Sequence, residues 1–169
     1  MSTNSNQPRV PRGQATGGQF AETRRTHSGI LLDEDEPTWD QDQVEQYLDQ
    51  AMDPYLGAVR RFSSLITPNG DMEQVSPGAS WDEHAVNQMR EEFADFLTYN
   101  GHLMDQARQV DPGYGPEQVA EDFWLTRNRH GAGFWDRGLG QAGDDLAEAA
   151  HAHGSVDLML DSQGRIVVA

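Results

Sequence analysis

Residues Asp122 to Gly138 read Asp-Phe-Trp-Leu-Thr-Arg-Asn-Arg-His-Gly-Ala-Gly-Phe-Trp-Asp-Arg-Gly, and the fold turns on how this run is read. It holds two of the four tryptophans, three of the twelve cationic side chains and one of the six histidines. Phe123 to Thr126 and Gly133 to Trp135 read as two short aromatic strands around the polar loop Arg127 to Gly131. Their aromatic residues alternate poorly, so both faces of such a ribbon need cover. Asp122, Asp136 and Arg137 fall at the strand ends. Two accounts stay open at this point. In one, the segment is a packed hairpin whose Arg and Asp pairs staple the loop. In the other, it is a binding platform of Trp124, Arg127, Asn128, Arg129, His130, Trp135, Asp136 and Arg137. Trp and Arg are frequent binding hot spots, and Gly131 and Gly133 permit close backbone approach. An Arg/His cluster also suits a phosphate or carboxylate.

Working toward the C-terminus, Gly138 to Gly143 reads as a turn. Asp144 to His153 follows as a helix with Leu146, Ala149 and Ala150 inward and Gly154 as its stop. Val156 to Leu160 and Ile166 to Val168 flank Asp161-Ser-Gln-Gly164, a hairpin signal.

Toward the N-terminus, Pro116 suits the first turn of a short helix to about Glu121. Asp82 begins the clearest helix, striped by Val86, Met89, Phe93, Phe96 and Leu97, with Asn100-Gly101 as its expected stop. Leu103, Met104 and Ala107 extend the pattern beyond that glycine. Thr67 to Asp71 is a turn, and loop is expected on to Ser80. From Pro54 to Ile66, Tyr55, Leu56, Val59, Phe62 and Leu65 allow either a second short helix or a continuation of the one before. That first helix is capped by Thr38 or Asp40 and runs to about Met52, with Val44, Tyr47, Leu48, Ala51 and Met52 on one face. Asp42, Glu45, Asp49 and Asp53 stripe the other face without the i,i+4 arginines that ordinarily soften such repulsion. The plan is α+β: N-terminal helices packed on a small antiparallel sheet built from two C-terminal hairpin regions. Residues 1–37 are expected to be a flexible tail, and 38–169 a single acidic domain.

Composition narrows function. The 169 residues carry a formal charge of −16, from 28 carboxylates against 12 arginines and no lysine. The imbalance is uneven. Residues 1–26 are +3 (Arg9, Arg12, Arg24 and Arg25 against Glu22), which leaves −19 on residues 27–169. Phosphate binding needs a basic footprint, so direct nucleic-acid binding by the body is not expected, nor is attachment to an anionic membrane. The absence of cysteine removes disulfides, thiolate zinc sites and thiol nucleophiles. No apolar run reaches membrane-spanning length and no basic start precedes an apolar stretch, so a cytoplasmic location is expected.

Asp122 to Gly138 resembles a family of phage and actinobacterial mobile-element proteins carrying Asp-Phe-Trp-Leu-Thr-Arg-Asn-x-His-Gly-Ala-Gly-Phe-Trp-Asp-Arg-Gly. The likeness continues through Leu146-Ala-Glu-Ala-Ala150, Gly-Ser-Val-Asp-Leu158 and Gly-Arg-Ile166, and more loosely back to Glu92-Phe-Ala-Asp-Phe96. Arg9-Val-Pro-Arg-Gly-Gln-Ala-Thr-Gly-Gly-Gln-Phe-Ala21 resembles a second element, Arg-Val-Pro-x-Gly-x-x-x-Gly-Gly-Gln-Phe-Ala, common near the N-termini of actinobacterial and actinophage proteins. The resemblances imply a genomic setting and a shared fold. They imply no reaction.

The remaining motifs are weak. Gly131-Ala-Gly133 misses both phosphate-loop patterns. His151 and His153 are two apart and diverge on a helix, while His27, His84 and His102 are isolated. No Gly-x-Ser-x-Gly elbow is present. His130 has no visible nucleophile beside it. Neither a catalytic residue, a metal site nor a cofactor is expected, and binding is favoured over catalysis. The expected function is that of a phage or mobile-element accessory protein binding a host or phage protein with a basic surface. Its acidic face would be Asp42, Glu45, Asp49 and Asp53, in the manner of DNA-mimicking counter-defence proteins. The alternatives are an anion or nucleotide pocket, with or without enzymatic activity, in the Arg127 to Arg137 loop, or a structural part of a virion.

Overall fold

Asp40 starts the first helix. Its side chain accepts from Gln43 N at 2.9 Å while Gln43 Oε1 accepts from Asp40 N at 3.0 Å, a reciprocal cap that satisfies two otherwise orphaned donors. A computed structural model describes residues 36–169, and in it this helix, α1, spans Gln41–Phe62. The continuation is therefore the correct alternative beyond Met52. Pro54 lies inside the helix without ending it. The expected tail over residues 1–37 falls almost wholly outside the described residues.

A short hairpin follows, β1 (Ser64–Ile66) and β2 (Met72–Gln74), antiparallel with Leu65 opposite Glu73. Asp82 then accepts from His84 N and Ala85 N and begins α2, Glu83–Val110. The stop expected at Asn100-Gly101 is corrected, because the helix runs straight through. A Cβ on Gly101 would sit 2.1 Å from Trp39 Cγ, so the glycine admits an indole and is not a cap.

The largest correction concerns the aromatic segment. Phe123 to Thr126 is not a strand but the second half of helix α3, Pro116–Arg127, and Phe134–Asp136 is a single 3₁₀ turn. The last six residues of α3, Asp122 to Arg127, are all buried. A helix covered on every side has no polar stripe, and a short apolar run without one cannot be told from a strand by period. Helix α4, Gln141–Ala152, begins a turn earlier than expected and stops, as anticipated, with Gly154 at φ +70°.

The C-terminal hairpin stands as read: β3 (Leu158–Leu160) and β4 (Ile166–Val168) pair antiparallel around Asp161–Gly164. Asp161 ties that turn by accepting from Gln163 N and Arg165 N at 2.8 Å each. The sheet order is β2-β1-β3-β4, and the central β1–β3 pair is parallel. The fold is α+β, but its second hairpin comes from residues 64–74, not from the aromatic run. The β4 edge is covered by Ser80 and Asp82, which exchange backbone bonds with Ile166. One hydrophobic core, with Leu48, Tyr55, Phe93, Phe96, Phe123, Trp124 and Phe134 at its centre, joins all four helices to the inner strands.

Candidate functional site

The polar run Arg127 to His130 terminates α3. His130 N donates to Leu125 O at 2.9 Å and Arg129 N to Thr126 O at 3.0 Å, the paired bonds of a Schellman cap around Asn128. Arg129 takes the left-handed position at φ 57°, the one non-glycine residue with positive φ among the described residues. Side chains complete the cap: Asn128 Nδ2 donates to Trp124 O at 2.9 Å, and Asn128 Oδ1 accepts from Val156 N at 2.8 Å.

Arg127 points inward and is only 2 % exposed. Its Nε donates to Gly154 O at 2.9 Å and its Nη2 to His153 O at 3.1 Å, the free carbonyls just beyond α4. A cation at a helix C-terminus meets the negative end of the helix dipole. Its Nη1 lies 2.7 Å from Glu92 Oε2, and the guanidinium covers the Phe123 ring at 5.2 Å. Arg127 thus joins α2, α3 and α4, and no face of it is left for an external anion. His153, edge-on to Phe96 and Phe123, is held below the ordinary histidine pKa by burial and then by the neighbouring Arg127 charge.

The second staple is Asp122, fully buried, which accepts from Arg137 Nε and Nη2 and from Tyr114 OH at 2.7 Å. Burial pushes the Asp122 carboxyl up, against the lowering by Arg137 and Tyr114. Burial followed by the Asp122 charge drives the Tyr114 phenol well above its normal range. Asp136 accepts from Gly133 N at 3.0 Å, and Thr126 Oγ1 accepts from Phe134 N at 3.2 Å. A Cβ on Gly133 would fall 2.3 Å from Thr126 Oγ1, which explains that glycine. Of the eight candidates in this segment, Trp124 and Arg127 are core residues. Arg137, Asp136 and Asn128 are tied into the frame. Arg129, His130 and Trp135 keep exposed surface, with Trp135 40 % exposed and stacked on His151 at 6.3 Å.

What the cap builds is the wall of a cleft of about 430 Å³, closed on the other side by the end of α1 and by β1. Trp124, Asn128 and His130 line it, together with Phe62, Ser63, Ile66, Met72, and Ser155 to Leu158. Sequence reading missed this second group, since the lining comes from four separate stretches and no spacing links them. In two of the lining residues a donor, Trp124 Nε1 and Ser63 Oγ, is closed to water and has no hydrogen-bond partner among the described residues. Each such group costs roughly 1–3 kcal/mol when left unsatisfied.

The acidic stripe lies elsewhere. Asp42, Glu45, Asp49 and Asp53 are all exposed on the outer side of α1. Their spacing lets them share that side over about 16 Å of helix rise. Sequence spacing left all four without partners, but Arg90 of α2 reaches across to Glu45, whose carboxyl it holds below the usual range. Among residues 36–169 there are 24 carboxylates and eight arginines. Six of these arginines form ion pairs, and those pairs engage only seven carboxylates. No helix among the described residues is long and apolar enough to cross a membrane, and no group of three or more metal-ligating side chains occurs among them. The chain matches no protein-family model, no curated protein and no solved structure.

Proposed function

We propose that the chain is a small accessory protein of a phage or mobile element that works by binding, presenting the outer face of α1 to a basic surface on a partner protein. One observation carries this reading. Of the six paired arginines only Arg90 reaches the stripe, at Glu45, and none pairs with Asp42, Asp49 or Asp53, so the outward acidity of α1 there is left largely uncompensated. Such a face raises the encounter rate with a cationic partner and repels DNA, RNA and anionic membranes.

Counter-defence by imitation of DNA is the sharper form of the proposal. A strand of duplex DNA presents a charge about every 3.4 Å of its axis. The α1 stripe offers one roughly every 5–6 Å, and Arg90 screens Glu45. The stripe alone is therefore sparser than a phosphate strand, and a partner with a discrete basic patch suits it better than one that tracks a groove.

The test is competition. The chain is titrated against preformed complexes of duplex DNA with basic DNA-binding proteins from its bacterial host. Displacement that weakens steeply with salt is expected, along with its loss in the Asp42→Asn, Asp49→Asn, Asp53→Asn variant. A control variant neutralising Asp144 and Glu148, exposed on α4, is expected to compete normally. Equal losses in both variants, or salt-insensitive displacement, would sink the reading.

A further inference from the structure

The sheet carries a second inference, independent of the acidic face of α1. Strand register sets one residue of each strand in a single row: Met72 opposite Ile66, Ile66 beside Met159, and Met159 opposite Val167. The adjacent row is Glu73, Leu65, Leu158 and Val168. Its Leu65 and Leu158 are buried in the hydrophobic core, and its Val168 packs against that core. Side chains alternate between the two faces along a strand, so the first row lies on the face turned away from the core. None of its four residues belongs to the core; Met72 is 68 % exposed and the other three are half-buried. The open face of a sheet is ordinarily polar. Here the row is apolar from edge to edge.

We propose that this row is the docking surface for an amphipathic helix of a partner protein, one with lysine or arginine beside its apolar ridge. Geometry favours a helix. Strands lie roughly 4.8 Å apart, so the four side chains span about 14 Å. Apolar residues at every third or fourth place along a helix rise about 4.5–6 Å, close enough to that spacing for ridge and row to match. An added strand would meet only Met72, at the β2 edge, where the exposed charge of Glu73 guards against edge pairing. The row also leads into the cleft beside the α3 cap, since Ser64, Ile66, Met72 and Asp157 line that cleft together with Phe62 and Val156. A large side chain from the helix has room there, as an anchor does in other helix-in-groove complexes.

Charge selects the partner. Asp157, two residues before Met159, lies on the face of the row, and Asp71 and Glu73 flank Met72. All three are exposed, and none forms an ion pair with another described residue. Arg165, two residues before Val167, is committed to Asp82 at 2.9 Å and Asp161 at 2.8 Å. A rim of unanswered carboxylates attracts a cationic helix. It repels an acidic partner, and equally a second copy of this chain laid face to face.

The probe is a helical peptide of about 14 residues, four turns, with leucine on one face and lysine on the other. It is titrated into the full-length chain while the methionine methyl resonances are followed by NMR, those of Met72 and Met159 assigned from the Met72→Leu and Met159→Leu spectra. Both signals are expected to move saturably, while those of the core residues Met89 and Met104 stay in place. Peptides with glutamate for lysine, or serine for leucine, are expected to bind there at least tenfold more weakly. Met72→Ser is expected to weaken the leucine-lysine peptide about three- to tenfold with an unchanged melting temperature. The Asp42→Asn, Asp49→Asn, Asp53→Asn variant is expected to show the same methyl shifts as the parent, so this inference and the reading of α1 fail separately. The proposal is overturned if neither methyl shifts saturably, if either control peptide binds as tightly, or if Met72→Ser binds unchanged. Shifts of the same methyls on concentrating the chain alone, or on adding phosphatidylcholine vesicles, would give the face to a second copy or to lipid and overturn it as well.

Discussion

The segment Asp122–Gly138 and the outer face of α1 look opposite in sequence and differ in structure by how much of each the fold takes into its interior. The first collects tryptophan, arginine and histidine, the residues of binding sites, and the fold consumes most of them. Arg127 caps α4, Arg137 neutralises Asp122, and Arg129 and His130 close α3. The second is a plain acidic stripe of the kind expected on any amphipathic helix, and it remains on the surface. Chemical richness in a sequence therefore marks interior demand as readily as function. A short chain with a crowded aromatic core needs charged side chains to satisfy the carbonyls and carboxylates buried with it.

That contrast is broken most directly at Arg127. Removing one partner of a buried pair leaves uncompensated polar groups, at a cost of roughly 3–5 kcal/mol. Arg127→Leu is therefore expected to unfold the chain at markedly lower urea, whereas Arg129→Leu, two residues on and exposed, should change stability little. Equal denaturation midpoints for Arg127→Leu and the parent would show that Arg127 does not hold α2, α3 and α4 together.

Gly101→Ala is the next test. The new methyl would collide with the ring of Trp39, and overpacking of this kind costs about 1–3 kcal/mol. Near-UV circular dichroism should report a disturbed tryptophan environment together with a lowered melting temperature. A variant as stable as the parent would restore the view of Asn100-Gly101 as a tolerant helix end.

How far the sequence reached can be argued from these same residues. The helices with one dry face, α1, α2 and α4, were legible because their apolar residues recur at helical spacing, and so was the Asp161–Gly164 hairpin. The first half of α3 was legible from Pro116, but its second half, Asp122 to Arg127, was not, because burial on all sides erased the stripe that period-based reading needs. Gly101 misled for a related reason: a glycine that admits an indole and one that ends a helix are the same letter. The cleft was invisible because Ser63, Met72 and Asp157 meet only through the parallel β1–β3 pairing and the cap of α3, contacts between distant segments that no local pattern encodes.

His153 supplies a pH test of the aromatic interior. Its folded pKa is lowered, so below the ordinary histidine value of about 6.5 the unfolded chain takes up a proton that the folded one resists. Stability is then complete above that value and falls as pH drops through the window beneath it. His102, lowered by burial, adds in the same sense, while Asp122, whose carboxyl is pushed up, acts oppositely at the acid end. Urea midpoints at pH 8, 6.5 and 5.5 should decline, and His153→Gln should flatten the decline. A parent chain equally stable at all three pH values would contradict the burial of that ring.

Arg129→Gly separates strain from chemistry within the cap. An L-residue in the left-handed region costs about 1–2 kcal/mol, part of which glycine returns through its greater freedom in the unfolded chain. The substitution is therefore expected to stabilise by roughly 0.5–1 kcal/mol, read as a higher denaturation midpoint. A loss of stability would mean that the exposed guanidinium makes a contact worth more than the backbone strain at φ 57°.

The smallest effect is expected on the acidic face, and its smallness is the point. Asp42→Asn, Asp49→Asn and Asp53→Asn together should shift stability by no more than about 0.5 kcal/mol, because none of the three forms an ion pair with another described residue. Two opposing contributions are at work. Relief of like-charge repulsion along the stripe favours the variant, while loss of Asp42 from the first turn of α1 removes a favourable interaction with the helix dipole. Raising the salt screens both, so parent and variant should converge further at 1 M NaCl. A large destabilisation would show that the fold relies on these carboxylates as it relies on Arg127, and the contrast between the two regions would collapse. Unchanged stability with lost partner competition would place the function on the face that the fold itself does not use.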